Sequence, residues 1–150
     1  MTAPPARAYN ELLNRLLTPE DKVKFESVVG AMLVGDPPQT LVISGPVRSG
    51  KTTLMRLVHK LALFNMVEMG LPTPQIVFQH TGYSPVTSEA FVFVETNEMV
   101  APKGSTFIVT TGDRLPVNKY YVLMEHIESE MESIAEHCIR TYENTTENNR

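Results

Sequence analysis

Gly45-Pro46-Val47-Arg48-Ser49-Gly50-Lys51-Thr52 is the stretch that decides how this chain is read. It matches G-x-x-x-x-G-K-[ST], the pattern of a loop that wraps main-chain amides around phosphate groups. Its flanks agree with that chemistry. Leu41-Val42-Ile43 before it is an apolar run of strand length. After it, from Thr53 to about Met69, Leu54, Leu57, Val58 and Leu61 recur at helical spacing. A loop between a strand and a helix start turns its amides, and the positive end of the helix, toward one point. Gly45 and Gly50 let backbone approach an anion with no Cβ in the way. Gly45, Pro46, Val47, Arg48, Ser49, Gly50, Lys51, Thr52 and Thr53 are therefore the candidate nucleotide-binding residues. Lys51 would neutralise β- and γ-phosphates, and the Thr52 hydroxyl would ligate Mg²⁺. Arg48 occupies a permissive position of the pattern, with solvent as its expected surroundings and phosphate or a neighbouring subunit's nucleotide as the alternative.

Composition narrows the setting. A chain of 150 residues, 42% hydrophobic and 20% charged, is large enough for one domain with a real core. No apolar run approaches the length of a membrane span, and Met1-Thr2-Ala3-Pro4-Pro5 has no signal-peptide character. The single Cys138 excludes an internal disulfide and, on a helical pattern, reads as a small core residue. The expected compartment is the cytoplasm, or a host cytoplasm. Net charge is −4 and uneven: seven Glu follow Tyr120, against Arg140 and Arg150. No basic stripe marks an autonomous nucleic-acid binder, so contact with single-stranded DNA would be local or shared with partners. His59, His80, His126 and His137 share no metal-ligand spacing.

Taken in order, Tyr9, Leu12, Leu13, Leu16 and Leu17 fall on one helical face. Thr18-Pro19-Glu20-Asp21 stops the chain and restarts it: a capping hydroxyl, a proline at the first helical position, then two acids in the first turn. Phe25, Val28, Val29, Met32 and Leu33 carry a second helix to Gly35-Asp36-Pro37-Pro38. These helices are expected to form a hairpin that covers one face of a sheet, with a subunit contact as the alternative. Strands are expected at Thr40 to Ser44, Gln75 to Gln79, Phe91 to Val94 and Phe107 to Val109, with a turn over Thr81 to Pro85. Phe91-Val92-Phe93-Val94 is unbroken, as in a strand buried on both faces of a parallel sheet. Tyr120 to Leu123 fits a fifth strand or the start of the last helix, and the strand is favoured. From Glu125, the apolar residues Ile127, Met131, Ile134, Cys138 and Tyr142 trace a seam that docks on the sheet or on another subunit. The expected architecture is α/β, of the P-loop NTPase kind: a central, mostly parallel sheet, an N-terminal helical hairpin and a C-terminal helix. Residues 1–36 hold the helices, 37–124 the core, and 125–150 the last helix and polar tail, all in one globular unit.

Hydrolysis needs an acid to organise the metal, placed at the C-terminal end of a buried strand beside the loop strand. Glu95, directly after Phe91-Val92-Phe93-Val94, is that candidate and a second metal ligand with Thr52. Thr96, Asn97 and Glu98 follow, and Glu98 is the candidate base for water, with an ordinary loop acid as the alternative. The catalytic candidates are thus Lys51, Glu95 and Glu98, together with Asp113 and Arg114 from the strand end Val109-Thr110-Thr111-Gly112-Asp113-Arg114-Leu115-Pro116.

With that third strand end, the chain resembles the superfamily 3 helicases, and especially the ATPase part of phage and plasmid primase-helicases, in minimal form. The resemblance runs over roughly residues 16–124: the loop at Gly45 to Thr52, the acid at Glu95, and the stretch Thr110 to Pro116. It implies an ATP-binding protein with Mg²⁺-dependent NTP hydrolysis, acting in phage or viral DNA replication or packaging. An oligomer or a partner protein would complete its site. The departures imply weak activity in isolation. Asp113 stands where the family has a neutral polar residue, and would repel phosphate unless Arg114 offsets it. Only seven residues separate Glu98 from Thr106, too few for the family's DNA-gripping hairpin, and Lys103 is a thin substitute. Arg114 is the nearest match to the family's arginine finger, since Arg140 sits on another element. Two other classes stay open. One is a non-catalytic module in which bound nucleotide stabilises an assembly. The other is a small-molecule kinase, against which stands the lack of an Arg-rich lid between Val100 and Lys119.

Overall fold

The structure, a computed structural model, describes residues 6–46, 48–70, 75–79, 89–112 and 116–148. The turn expected over Thr81 to Pro85 lies outside them. The elements are α1 (Arg7–Leu16), α2 (Pro19–Val34), β1 (Thr40–Ser44), α3 (Lys51–Val67), β2 (Ile76–Gln79), β3 (Phe91–Thr96), β4 (Thr106–Val109), α4 (Val117–Glu128) and α5 (Met131–Asn148). All strand pairs are parallel, in the order β2-β3-β1-β4. The fold is therefore α/β with a four-stranded parallel sheet, as the alternation of strands and helices implies.

The loop strand β1 lies at the centre, between β3 and β4. Its five residues are all buried. Successive side chains leave a strand on opposite faces. Leu41 and Ile43, with Phe91, Phe93 and Ile108, join the main core with the helices. Val42, Val92 and Val94 form a second, smaller cluster with Phe107 on the other face. Phe91 to Val94 are all buried, which accounts for a run with no polar alternation.

The helix signals hold at residue level. Thr18 Oγ1 accepts from Asp21 N at 3.3 Å, and Pro19 opens α2. The apolar seam ending at Tyr142 finds its partner within the same chain: α5 packs along α2, and Met131, Ile134 and Cys138 are buried there. The two helices touch at Gly30, where an added Cβ would run into the Cys138 carbonyl and stand 2.7 Å from Tyr142 Cβ.

Two expectations at the C-terminal end are corrected. Tyr120 to Leu123 is not a strand: it lies within α4, which begins at Val117 after Pro116. The four residues have strand-like propensity, but Val117, Tyr120 and Tyr121 at one spacing, and Leu123 and Ile127 at another, form two helical stripes, and packing decides. Nor does one helix run through the C-terminal region from Glu125. Ser129 ends α4, its hydroxyl donating to His126 O at 2.7 Å, and α5 starts at Met131. Glu130, in the break, accepts from Ala8 N and Tyr9 N at 2.9 Å each. It thereby caps α1, whose own N-cap residue, Ala6, has no side-chain acceptor to offer. No described helix is long and apolar enough to cross a membrane.

Candidate functional site

The loop from Gly45 to Thr53 leaves the C-terminal end of β1 and enters the first turn of α3. Two of its residues adopt backbone that a side chain would oppose. Gly45 has φ +147°, and a Cβ there would overlap Thr110 Oγ1. Gly50 has φ +95°, and a Cβ there would stand 2.6 Å from Leu16 Cδ2. Arg48 is the one described non-glycine residue with positive φ, at 62°. Gly50 caps α3 without a side-chain hydrogen bond, and the first intrahelical bond is Leu54 N to Gly50 O at 3.1 Å. The amides of Lys51, Thr52 and Thr53 thus precede the helix's own hydrogen-bond ladder and point outward at its positive end.

Three side chains converge at this point. Lys51, only 5% exposed, donates from Nζ to Gly45 O at 2.5 Å and to Asn97 Oδ1 at 2.8 Å. Burial of its stem fixes the ammonium at the mouth of the loop. Thr52 Oγ1 donates to Glu95 Oε1 at 2.8 Å. Glu95 reaches it because β3 pairs directly with β1, with Ile43 opposite Glu95 and Ser44 opposite Thr96. The loop is braced from its other side by β4. Ser49 and Thr110 share a 2.5 Å hydroxyl contact, and Thr110 N donates to Ser44 O at 2.9 Å. Thr111 in turn bonds α1 twice, N to Leu16 O at 2.8 Å and Oγ1 to Arg15 O at 2.6 Å.

Together these elements frame a cleft of about 450 Å³, within the range of roughly 300–1,000 Å³ that small-molecule sites occupy. Arg48, Ser49, Gly50, Lys51, Thr52, Thr53 and Glu95 line one side. Leu12 and Leu16 of α1 form a second wall, and Val117, Tyr120 and Tyr121 of α4 a third. Two cations against one carboxylate leave this lining net positive. Thr52 and Glu95 offer a hydroxyl and a carboxylate 2.8 Å apart, hard oxygen donors of the kind Mg²⁺ takes. No group of three or more His, Cys, Asp or Glu that could hold a metal occurs among the described residues.

The remaining candidates fall differently. Glu98 is exposed and does not line the cleft; its main-chain O accepts from Ser44 Oγ at 2.6 Å and its N donates to Thr96 Oγ1 at 3.1 Å. The side chain that meets Lys51 from this turn is Asn97. Val47, Asp113 and Arg114 lie outside the described residues, though Gly112 and Pro116 on either side of the last two are described. Sequence reasoning missed the tyrosines as cleft residues, and Asn97 and Thr110 as the partners that hold Lys51 and Ser49. Asn97 and Thr110 stand beside residues it did single out. The tyrosines carry a signal only once they are placed on a helix.

Behind the α1 wall, Tyr9 OH donates to Glu26 Oε2 at 2.7 Å, the oxygen that His137 Nε2 also reaches at 2.9 Å. Cys138 Sγ lies 4.0 Å from the same phenol. Burial, reinforced by the neighbouring Glu26 carboxylate, pushes the Tyr9 phenol well up. Burial with the Glu26 charge does the same to the Cys138 thiol. Cys138 is thus an inert core residue, as its position on the apolar seam implies.

No protein-family model, curated protein or solved structure matches this chain.

Proposed function

We propose that this chain binds a nucleoside triphosphate with Mg²⁺ on the loop from Gly45 to Thr53, and that it hydrolyses the nucleotide slowly. The observation that carries the proposal is the convergence of Lys51, Thr52 and Glu95 at an uncapped helix N-terminus. These residues come from the loop and from a strand far along the chain, and the parallel pairing of β1 with β3 brings them within hydrogen-bond reach. Loop amides and the Lys51 ammonium would hold the β- and γ-phosphates, the ammonium exchanging its Gly45 and Asn97 acceptors for phosphate oxygens. Thr52 and Glu95 would hold Mg²⁺, which supplies positive charge where negative charge builds up on the leaving phosphates. Asn97, which accepts from the Lys51 ammonium at 2.8 Å, would orient the terminal phosphate or a water beside it.

Slow turnover follows from the lining, where Glu95 is the only described carboxylate and is engaged with Thr52. The base and the charge-stabilising arginine would come from a partner or a neighbouring copy. A superfamily 3 helicase relative working on DNA with such partners, in a phage or viral setting, is the biological reading we favour. The same lone carboxylate favours one second reading, a module in which bound nucleotide tightens an assembly without turnover.

Nucleotide binding and turnover on wild type, Lys51→Ala and Glu95→Gln, with and without single-stranded DNA, test the proposal. Lys51→Ala is expected to lose at least tenfold in ATP affinity. Glu95→Gln is expected to keep binding and lose Mg²⁺-dependent turnover, and DNA to raise the wild-type rate. Unchanged affinity in Lys51→Ala would overturn the site. Tight binding with no turnover in wild type, alone or with DNA, would establish the non-catalytic module.

A further inference from the structure

The cleft has more surface than phosphates use. Two helical stripes also line it: Leu12 and Leu16 at i, i+4 on α1, both buried and with Leu16 close against Gly50, and Val117, Tyr120 and Tyr121 at i, i+3, i+4 on α4. Tyr121 is 66% exposed and Val117 70%, a large apolar surface left open to solvent. The Tyr120 ring backs Tyr121 edge-on, centroids 5.6 Å apart and planes at 70°. The two walls are tied together at the surface by Lys119 Nζ and Glu11 Oε1 at 2.9 Å. A polar floor that suits phosphate, continuous with an open aromatic and aliphatic wall, matches a ligand charged at one end and flat and apolar at the other.

We infer that Tyr121 is the platform on which the base of the bound nucleotide stacks, with Tyr120 as its buttress. This rests on the nucleotide site proposed above. The described wall offers a π-face and methyl groups, and its side-chain hydrogen-bonding groups are the two phenols. Stacking discriminates by ring area rather than by edge pattern. ATP and GTP therefore bind alike, and both bind better than CTP or UTP.

The test compares ATP with inorganic tripolyphosphate, which carries the charge and lacks the base, each with Mg²⁺. The proteins are the full-length wild type, Tyr121→Ala, Tyr121→Phe and Lys51→Ala, each checked for an unchanged thermal transition. Tyr121→Ala is expected to lose about tenfold in ATP affinity, and Tyr121→Phe to bind ATP as wild type does. Neither should change tripolyphosphate affinity, whereas Lys51→Ala weakens both ligands. If Tyr121→Ala binds ATP as wild type does, or weakens both ligands equally, the stacking assignment is wrong, while a Lys51→Ala loss would leave the phosphate site standing. If Lys51→Ala weakens neither ligand, or wild type binds neither, the phosphate site itself fails and the base subsite with it. The chain has no Trp, so tyrosine fluorescence gives an independent reading: ATP quenches wild type, and the quench shrinks in Tyr121→Ala.

Discussion

Tyr9 shows how much one side chain is made to do. It is fully buried, its phenol donates to a carboxylate that is itself 3% exposed, and its ring packs edge-on against His137 at 6.5 Å. The raised phenol sets the sign of a pH effect. In the unfolded chain Tyr9 ionises near pH 10, whereas the folded chain holds the proton to a higher pH. The Tyr9 contribution is thus complete below about pH 10 and is lost as pH rises beyond it, because the unfolded state sheds a proton the native state keeps. Denaturant unfolding should give parallel curves for wild type and Tyr9→Phe between pH 8 and 9, and above about pH 10 a steeper fall in wild type, the extra slope approaching about 1.4 kcal/mol per pH unit by pH 11.5. Parallel alkaline limbs would contradict this. Tyr9 was legible as a core position from its spacing with Leu12, Leu13 and Leu16. Its partner Glu26 was not, because a carboxylate on a helix ordinarily faces water, and only the arrival of α5 encloses it.

The contact of α2 with α5 puts propensity and packing in direct opposition. Gly30 sits mid-helix, where alanine alone would favour the helix by about 1 kcal/mol. Here its Cβ would strike the α5 backbone at Cys138 and lie 2.7 Å from Tyr142 Cβ. Neither obstacle is the end of a flexible side chain. Gly30→Ala is therefore expected to destabilise the protein by about 2 kcal/mol net, read as a lower denaturant midpoint, and a rise in stability would show that the helices can separate at no cost. The elements most readable from sequence were those whose signals are local: Thr18-Pro19 opening α2, the loop before α3, the unbroken Phe91 to Val94. Tyr120 to Leu123 was misread because β-branched and aromatic residues favour strands locally, and the helix there exists by packing on α1. Likewise the break at Ser129-Glu130 has no glycine or proline to announce it; its cause is the carboxylate that α1 requires. The candidate site was half visible for the same reason. Lys51 and Thr52 are adjacent in the loop and Glu95 ends an apolar run, but the α1 and α4 walls come together only in three dimensions.

At the scale of the molecule, the parallel sheet delivers loop, acid and brace to one end, while α1 and α4, far apart in sequence, close the cleft. Leu12 and Leu16 come from the first helix, Tyr120 and Tyr121 from the fourth. The Glu130 carboxylate accepts from the second and third amides of α1, Ala8 N and Tyr9 N. Glu130→Ala should cost about 1–2 kcal/mol, as losing a helix cap does, with amide exchange in the first turn of α1 accelerating more than in α3. Uniform acceleration would mean that the clasp is not local. A chain emerging from a ribosome meets this clasp in a particular order. When residues 6–16 leave the exit tunnel, the group that completes their helix has not been translated, and it arrives only after every strand has been made. α1 is thus secured late, and a fragment ending before residue 130 would carry the whole Gly45 to Thr53 loop beside a frayed wall.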